Sequence, residues 1–372
     1  METLYLQPEQ INQPVVPKGT AIVQPEPRVR KSHPLDFLSK YVDTQDRNQT
    51  IILNTASLED IKQQTYINQI VGSQQQNIVN LQRINDIRRI NKFFEAVNEC
   101  LPLEGTFIGC VETKALRKER ILAKFPPVLN WLYYIGDFIF KRFFPKVPVL
   151  KELYFHITQG KSRVITSVEA LGRLYSCGFK VIDLHQTDKL LFFIAKKVKD
   201  PDFNLSPSYG PLFKMKRSGK DGNPIFVYKL RTMHPFAEYL QEYIYEQNQL
   251  SEGGKFKNDI RITTLGKFFR KVWLDEMPMV INFLKGELKL VGVRPLSAHY
   301  LSLYDQELQD MRQRVKPGLV PPFYADMPKT LEEIIDSEKR YILAHQKSPW
   351  KTDIVYFVKA CKNILINKAR SQ

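Results

Sequence analysis

The stretch that most constrains this 372-residue chain runs from Asp259 to Pro295. An adjacent carboxylate pair, Asp275-Glu276, lies there among cations: Arg261, Lys267, Arg270 and Lys271 before it, Lys285, Lys289 and Arg294 after it. Pro278 suits a first helical turn, where its missing N–H would have no partner anyway. Met279, Val280, Phe283 and Leu284 follow at the spacing of one buried helical stripe, and Gly286 ends it. The pair therefore falls at a helix N-terminus, where backbone N–H groups and the dipole favour ionised carboxylates. A DE dipeptide at a helix start is ordinary by itself. Amid this many cations, two carboxylates suit chemistry on a polyanion: one attacks phosphorus or carries a metal while the cations neutralise phosphate oxygens.

Asp259, Arg261, Ile262, Thr263, Gly266 and Arg270, then Leu274-Asp275-Glu276, Pro278, Asn282 and Gly286, then Val291-Gly292-Val293-Arg294-Pro295, together resemble the signature of the bacterial sugar transferases. These are the monotopic polyprenyl-phosphate glycosyl-1-phosphate transferases. Residues 210–233, GPLFKMKRSGKDGNPIFVYKLRTM, are similar to the opening motif of the same family. Physically they read as a β-hairpin turning at Gly219-Lys220-Asp221-Gly222. Alternation in its second strand puts Lys229 and Arg231 on one face and Tyr228, Leu230 and Thr232 on the other.

The resemblance covers 210–372 and implies an α+β catalytic domain. It implies transfer of a sugar 1-phosphate from a UDP-sugar to polyprenyl (undecaprenyl) phosphate, with Mg²⁺ and release of UMP, initiating exopolysaccharide, capsule or O-antigen-type glycan synthesis. By position, Asp275 would be the nucleophile, forming an aspartyl phosphosugar intermediate. Glu276 would bind Mg²⁺ or position the acceptor. Arg270 and Arg294 would neutralise phosphate oxygens, assisted by Lys229, Arg231 and Arg261. The implied location is the cytoplasmic face of a bacterial inner membrane, on an anionic surface, peripheral or monotopic.

Three features depart from the family pattern. Its re-entrant hydrophobic helix is replaced by a polar linker, 199–209. Val293 stands where the family has proline, and KPGLVPPFYADMP (316–328) keeps only Pro317 and Gly318 of the corresponding motif. A membrane partner protein or the aromatic segment 125–148 would then supply the anchorage, or the enzyme would act without deep insertion. A catalytically idle scaffold binding nucleotide-sugar or a partner enzyme is the alternative reading.

Upstream, 1–48 is expected to be a polar tail with no secretory signal. Residues 49–198 are expected to form an α/β unit. Strands at 51–56 and TFIGCVE flank a helix that carries Ile84, Ile87, Ile90, Phe93, Phe94 and Val97 on one side. A helix over 168–178 leads into the strands FKVIDLHQ and KLLFFIAKKV. That order resembles the second half of a class I methyltransferase fold. The glycine-rich turn that would cradle S-adenosylmethionine is missing, so the unit is expected to be non-catalytic.

Residues 125–148 fit either an interfacial membrane segment or an aromatic core helix, and no apolar run is long enough to span a bilayer. The final helix, DIVYFVKACKNILINKAR, fits either a lipid surface or packing on the domain. A net charge of +16 requires an anionic partner, but no nucleic-acid recognition motif accompanies it. Cys100, Cys110, Cys177 and Cys361 have no metal-site spacing and read as thiols of a reducing compartment.

Overall fold

The computed structural model describes residues 37–43, 46, 48–70, 76–203, 209–248, 259–302 and 304–366. The expected tail, apart from residues 37–43, 46 and 48, lies outside them, and so does a glycine pair, Gly253-Gly254, at which the sequence would break the helix that follows residue 233. Elements of the N-terminal half run β1 (Thr50–Leu53), α1 (Leu58–Ile70), β2 (Asn77–Arg83), α2 (Ile90–Cys100), β3 (Thr106–Val111), α3 (Lys114–Lys124), α4 (Leu129–Phe138), α5 (Leu150–Thr158), α6 (Ser167–Ser176), β4 (Phe179–Gln186) and β5 (Leu191–Lys197). The sheet order is β1-β2-β3-β5-β4. The first three strands are parallel, and β5 runs antiparallel to both β3 and β4.

Every residue of β3 is buried, as a central strand covered on both faces requires. One face packs Phe94, Phe107 and Phe193 edge to face with the expected stripe from Ile84 to Val97. On the other face Phe37, Leu38 and Val42, expected in the tail, are buried against Val79, Ile108 and Ile194. Phe37 stacks on His185 at 4.1 Å between ring centres.

Segment 125–148 is amphipathic in the reverse sense to a core helix. The carboxylate of Asp137 is buried and takes two bonds from Arg117, Nε to Oδ2 at 2.7 Å and Nη2 to Oδ1 at 2.8 Å. Leu129, Trp131, Leu132, Ile135, Ile139 and Phe143 point to solvent instead. On α5, Val149, Leu153 and Ile157 are likewise exposed at helical spacing. The core-helix reading fails because the buried ion pair, not the aromatic face, holds the segment in place. Among the described residues no helix is long and apolar enough to cross a membrane.

The C-terminal part begins with the hairpin β6 (Leu212–Ser218) and β7 (Pro224–Leu230), paired in register from Leu212–Leu230 to Ser218–Pro224. Asp221 takes the left-handed conformation, φ 57°, at the turn read from the sequence. Helix α7 (Gln241–Asn248) then crosses the expected domain boundary: Leu240 and Ile244 complete the N-terminal core. A Cβ on Gly172 of α6 would lie 2.3 Å from the carbonyl oxygen of Phe236, so only glycine permits that approach. The order continues α8 (Thr264–Lys271), α9 (Val280–Leu284), β8 (Lys289–Val291), α10 (Gln306–Gln313), β9 (Gly318–Val320), α11 (Leu331–Lys347) and α12 (Pro349–Leu365). Strands β8 and β9 pair in parallel.

Thr330 caps α11 by accepting from Glu333 N–H at 3.2 Å. Helix α12 packs on the domain along one side only. Ala360 and Thr352 pack inward, while Trp350 (85 % exposed), Ile354, Val358 and Leu365 form an outward apolar stripe.

Burial alone would raise the Asp137 pKa, but the Arg117 pairing outweighs it and holds the carboxyl below its usual range. The ion pair's contribution to stability is therefore present above the ordinary carboxylate range and lost as pH falls through the lowered value. Asp137→Ala, which leaves the buried guanidinium still bonded to Glu112 at 3.1 Å, should cost about 1–3 kcal/mol in urea unfolding at neutral pH. The difference from wild type should shrink under strongly acidic conditions.

Candidate active site

The site is assembled on the second hairpin strand. Thr263 caps α8 by accepting from Gly266 N–H at 2.8 Å, and its own N–H donates to the Thr232 carbonyl at 2.9 Å. A Cβ on Gly266 would lie 2.0 Å from that same carbonyl oxygen, so glycine sets how closely the helix approaches the strand. Arg270, at the end of α8, then donates Nε to Thr232 Oγ1 at 3.0 Å. Trp273 leaves the helix in the left-handed region, φ 64°, with its ring 4.4 Å from that of Tyr324. That turn delivers Asp275 and Glu276 to the strand, where Leu230 N–H donates to the Asp275 carbonyl at 2.9 Å.

A helix does start after the pair, through a 3₁₀ turn over Met277–Met279 into α9, and Gly286 leaves it at φ 72°. The expected apolar stripe is not buried. Met279 is, but Val280, Phe283 and Leu284 (78 % exposed) face out, and the buried face belongs to Asn282. Asn282 donates Nδ2 to the Phe226 carbonyl at 2.7 Å and to Glu287 at 2.6 Å, and accepts from Tyr228 N–H at 3.1 Å. A five-residue helix beside an edge strand is fixed by satisfying that strand's polar groups, not by burying its own apolar side.

Lys229, Glu276 and Arg294 line one groove of about 210 Å³. Lys229 Nζ reaches Glu276 Oε1 at 2.7 Å. Asp275 lies directly behind, 7 % exposed, and its Oδ1 is buried with no hydrogen-bond partner. Burial first, and then the neighbouring Glu276 carboxylate, raise the Asp275 pKa above the usual aspartate value. Lys229 and Arg270 oppose that rise.

Three expected phosphate ligands do not line this groove: Arg270, which is tied to Thr232, and Arg261 and Arg231. Arg261 is held by Asp259 through Nε and Nη2 at 2.9 and 2.8 Å. Arg231 folds back from the strand end, donating to the Gly210 carbonyl at 2.8 Å with its guanidinium over the Phe213 ring. The alternation rule fails there because the regular strand ends at Leu230.

Sequence reading missed Arg217, whose pKa is lowered first by burial and then by the adjacent Arg294 cation. Its signal was the alternation of Met215 and Arg217 with Val227 and Lys229 across the hairpin. It also missed Arg312, buried in an ion pair with Glu338 and donating to the Arg294 carbonyl, which fixes the loop that carries Arg294. Phe323 and Tyr324, in the divergent segment 316–328, line the groove in place of the family's motif.

Among the described residues no group of three or more His, Cys, Asp or Glu side chains is arranged to hold a metal ion. The pair fits only a cation that completes its shell with substrate phosphates and water, which is the habit of Mg²⁺.

Residues 201–367, a little under half of the chain, match the family model of the bacterial sugar transferases. The chain is 39 % identical over 107 residues to an uncharacterised sugar transferase, EpsL, of Bacillus subtilis, covering 29 % of this chain and 46 % of that protein. It is 36 % identical over 133 residues to a UDP-glucose:undecaprenyl-phosphate glucose-1-phosphate transferase of Klebsiella pneumoniae, covering 35 % of this chain and 25 % of that protein. Over 116 residues it is 34 % identical to an undecaprenyl-phosphate galactose phosphotransferase of Salmonella typhimurium, covering 30 % and 24 % respectively. The matches therefore span less than half the length of these relatives. A solved O-methyltransferase family 2 protein from Planctomyces limnophilus aligns over 40 % of this chain and 42 % of its own, at 11 % identity and a TM-score of 0.21, a likeness too slight to bear on the fold.

Because the folded state raises the Asp275 pKa, it binds more protons than the unfolded chain above the ordinary aspartate value, and stability falls as pH rises through that window. Asp275→Asn should therefore melt a few degrees above wild type at pH 7. The gap should close as pH drops below about 3.9, the unperturbed value. Differential scanning calorimetry at both pH values checks this.

Proposed function

We propose that the chain is a phosphoglycosyl transferase that moves a sugar 1-phosphate from a UDP-sugar to a polyprenyl phosphate. The observation that carries this reading is a buried carboxylate, Asp275, with an unpartnered Oδ1, set behind a groove walled by Lys229, Glu276, Arg217 and Arg294. Phosphoryl transfer depends chiefly on positioning and charge neutralisation, and these residues are the types that supply both. The names of the Klebsiella and Salmonella relatives point to the same donor and acceptor classes.

In this reading Asp275 attacks the β-phosphorus of the donor while the bond from that phosphorus to the bridging oxygen breaks. UMP leaves with the bridging oxygen, and an aspartyl phosphosugar remains. A phosphate oxygen of the acceptor then attacks the same phosphorus, the aspartyl oxygen departs as carboxylate, and a polyprenyl diphosphate sugar is released. Lys229 holds Glu276 in place, and Arg217 with Arg294 neutralises the phosphate oxygens. Mg²⁺, held by Glu276 and the donor phosphates, would supply further charge neutralisation.

Attack requires the ionised Asp275, so the acidic limb of the rate profile should lie above the ordinary aspartate pKa. Incubation with Mg²⁺, detergent-solubilised undecaprenyl phosphate and a panel of UDP-sugars should give acceptor-dependent UMP. Asp275→Asn should abolish it. Arg294→Ala should lower kcat by about 10²–10³-fold, the usual cost of one charge-stabilising donor. Turnover that survives in Asp275→Asn but not in Glu276→Gln would reverse the two roles. Silence of the wild type across the panel would favour the idle scaffold.

For the membrane we infer an interfacial attachment to an anionic bilayer through the outward apolar residues of α4 and α5. Trp131 and Tyr133 accompany these residues, and Lys114, Lys118 and Lys151 lie on the same or neighbouring helices. That combination of apolar, aromatic and cationic side chains suits a headgroup boundary. The double variant Leu132→Glu/Ile139→Glu should retain its melting temperature but lose most of its co-flotation with phosphatidylglycerol vesicles. Unchanged flotation would move the attachment to α12 or to a partner protein. A non-catalytic role for the N-terminal unit accords with this task.

A further inference from the structure

A second cavity, of about 270 Å³, opens between the N-terminal unit and the start of the C-terminal part. Its wall carries Arg88, Arg142, Lys146, Lys151, Arg163 and Arg173 against the carboxylates of Glu95 and Glu169. Glu95 is engaged by Lys92 at 2.6 Å. Glu169 is 3 % exposed and must serve three cations: Arg142, Arg173 at 2.9 Å and Lys146 at 3.7 Å. Burial would raise the Glu169 pKa, but those cations hold it well below the usual range. One buried negative charge therefore faces three positive ones.

The strain of that imbalance falls on the cations. Burial, with repulsion from Arg142, Arg173 and Arg231, lowers the Lys146 pKa to about 7 although Glu169 opposes it. Burial, with repulsion from Arg173, lowers Arg163 to about 10. Arg163 Nη2 donates to the Ile87 and Arg88 carbonyls and Arg173 to Asn91 and Glu169, but the Nε atoms of both, buried, have no hydrogen-bond partner. Such groups are costly unless paired.

The aromatic rings at the wall are already covered by cations: Arg163 lies 5.6 Å from the centre of Phe155, Lys151 5.8 Å from Tyr209 and Arg173 4.4 Å from Phe236. These contacts hold the cations in place around the cavity. The complement of this wall is a small, multiply charged oxyanion.

We propose that this cavity is a binding site for a phosphate or diphosphate group, distinct from the carboxylate groove. A free phosphorylated metabolite and a lipid phosphate share that chemistry. The test uses the full chain in Mg²⁺-free buffer with two probes, inorganic pyrophosphate and the soluble short-chain lipid dihexanoyl phosphatidic acid. Melting temperatures are read for wild type, Lys146→Met, Arg163→Gln and, at the other site, Arg294→Ala.

At least one probe should raise the melting temperature of wild type and Arg294→Ala by several degrees, with the rise lost in Lys146→Met and Arg163→Gln. Without probe, Lys146→Met should melt at or above wild type, since it removes an ill-compensated cation. A rise with pyrophosphate identifies a free ligand, and a rise with the lipid alone identifies a headgroup. No rise with either probe, or a rise that survives both cavity variants or disappears only in Arg294→Ala, overturns the proposal.

Discussion

The backbone of residues 226–232 is the constraint on which the site depends. Phe226 and Tyr228 bond to the buried Asn282 amide, Leu230 N–H holds the Asp275 carbonyl, and the Thr232 carbonyl takes both Thr263 groups. Three separate pieces of chain, α8, the carboxylate turn and α9, are thus referred to one strand with spacings set by hydrogen bonds. Hydrogen-bond geometry tolerates only a few tenths of an ångström, and catalytic positioning needs that tolerance. A site resting on apolar packing alone would lack it, and the outward-facing Val280, Phe283 and Leu284 indicate that packing is not what holds α9.

Much of this was legible in the chain. The hairpin turn, the helix start at Pro278 and its end at Gly286 all follow from local chemistry that residue type dictates. The burial of Ile84 through Val97 followed from periodicity. What failed was any inference that took apolar to mean buried. Periodicity locates a helix's apolar face but not what that face meets, and in both α4 and α9 polar ties fix the inner side while the apolar side is left outward.

The destinations of the cations were illegible for a related reason. Arg261, Arg231 and Arg270 lie in the same motif text, yet Asp259 claims the first, the Gly210 carbonyl the second and Thr232 the third. Long flexible side chains go to whichever acceptor the fold brings near, and those acceptors come from segments distant in sequence. Arg312 shows the converse: nothing in its neighbourhood of the chain marks it, but Glu338 and the Arg294 carbonyl converge on it.

The net charge of +16 consequently has structure within it. Lys229 and Arg231, two residues apart at the end of one strand, turn to different acid partners. Lys229 joins Glu276 in the groove, whereas Arg231 feels Glu238 and Glu169 and adds to the repulsion on Lys146. The same strand end therefore borders both concentrations of positive charge.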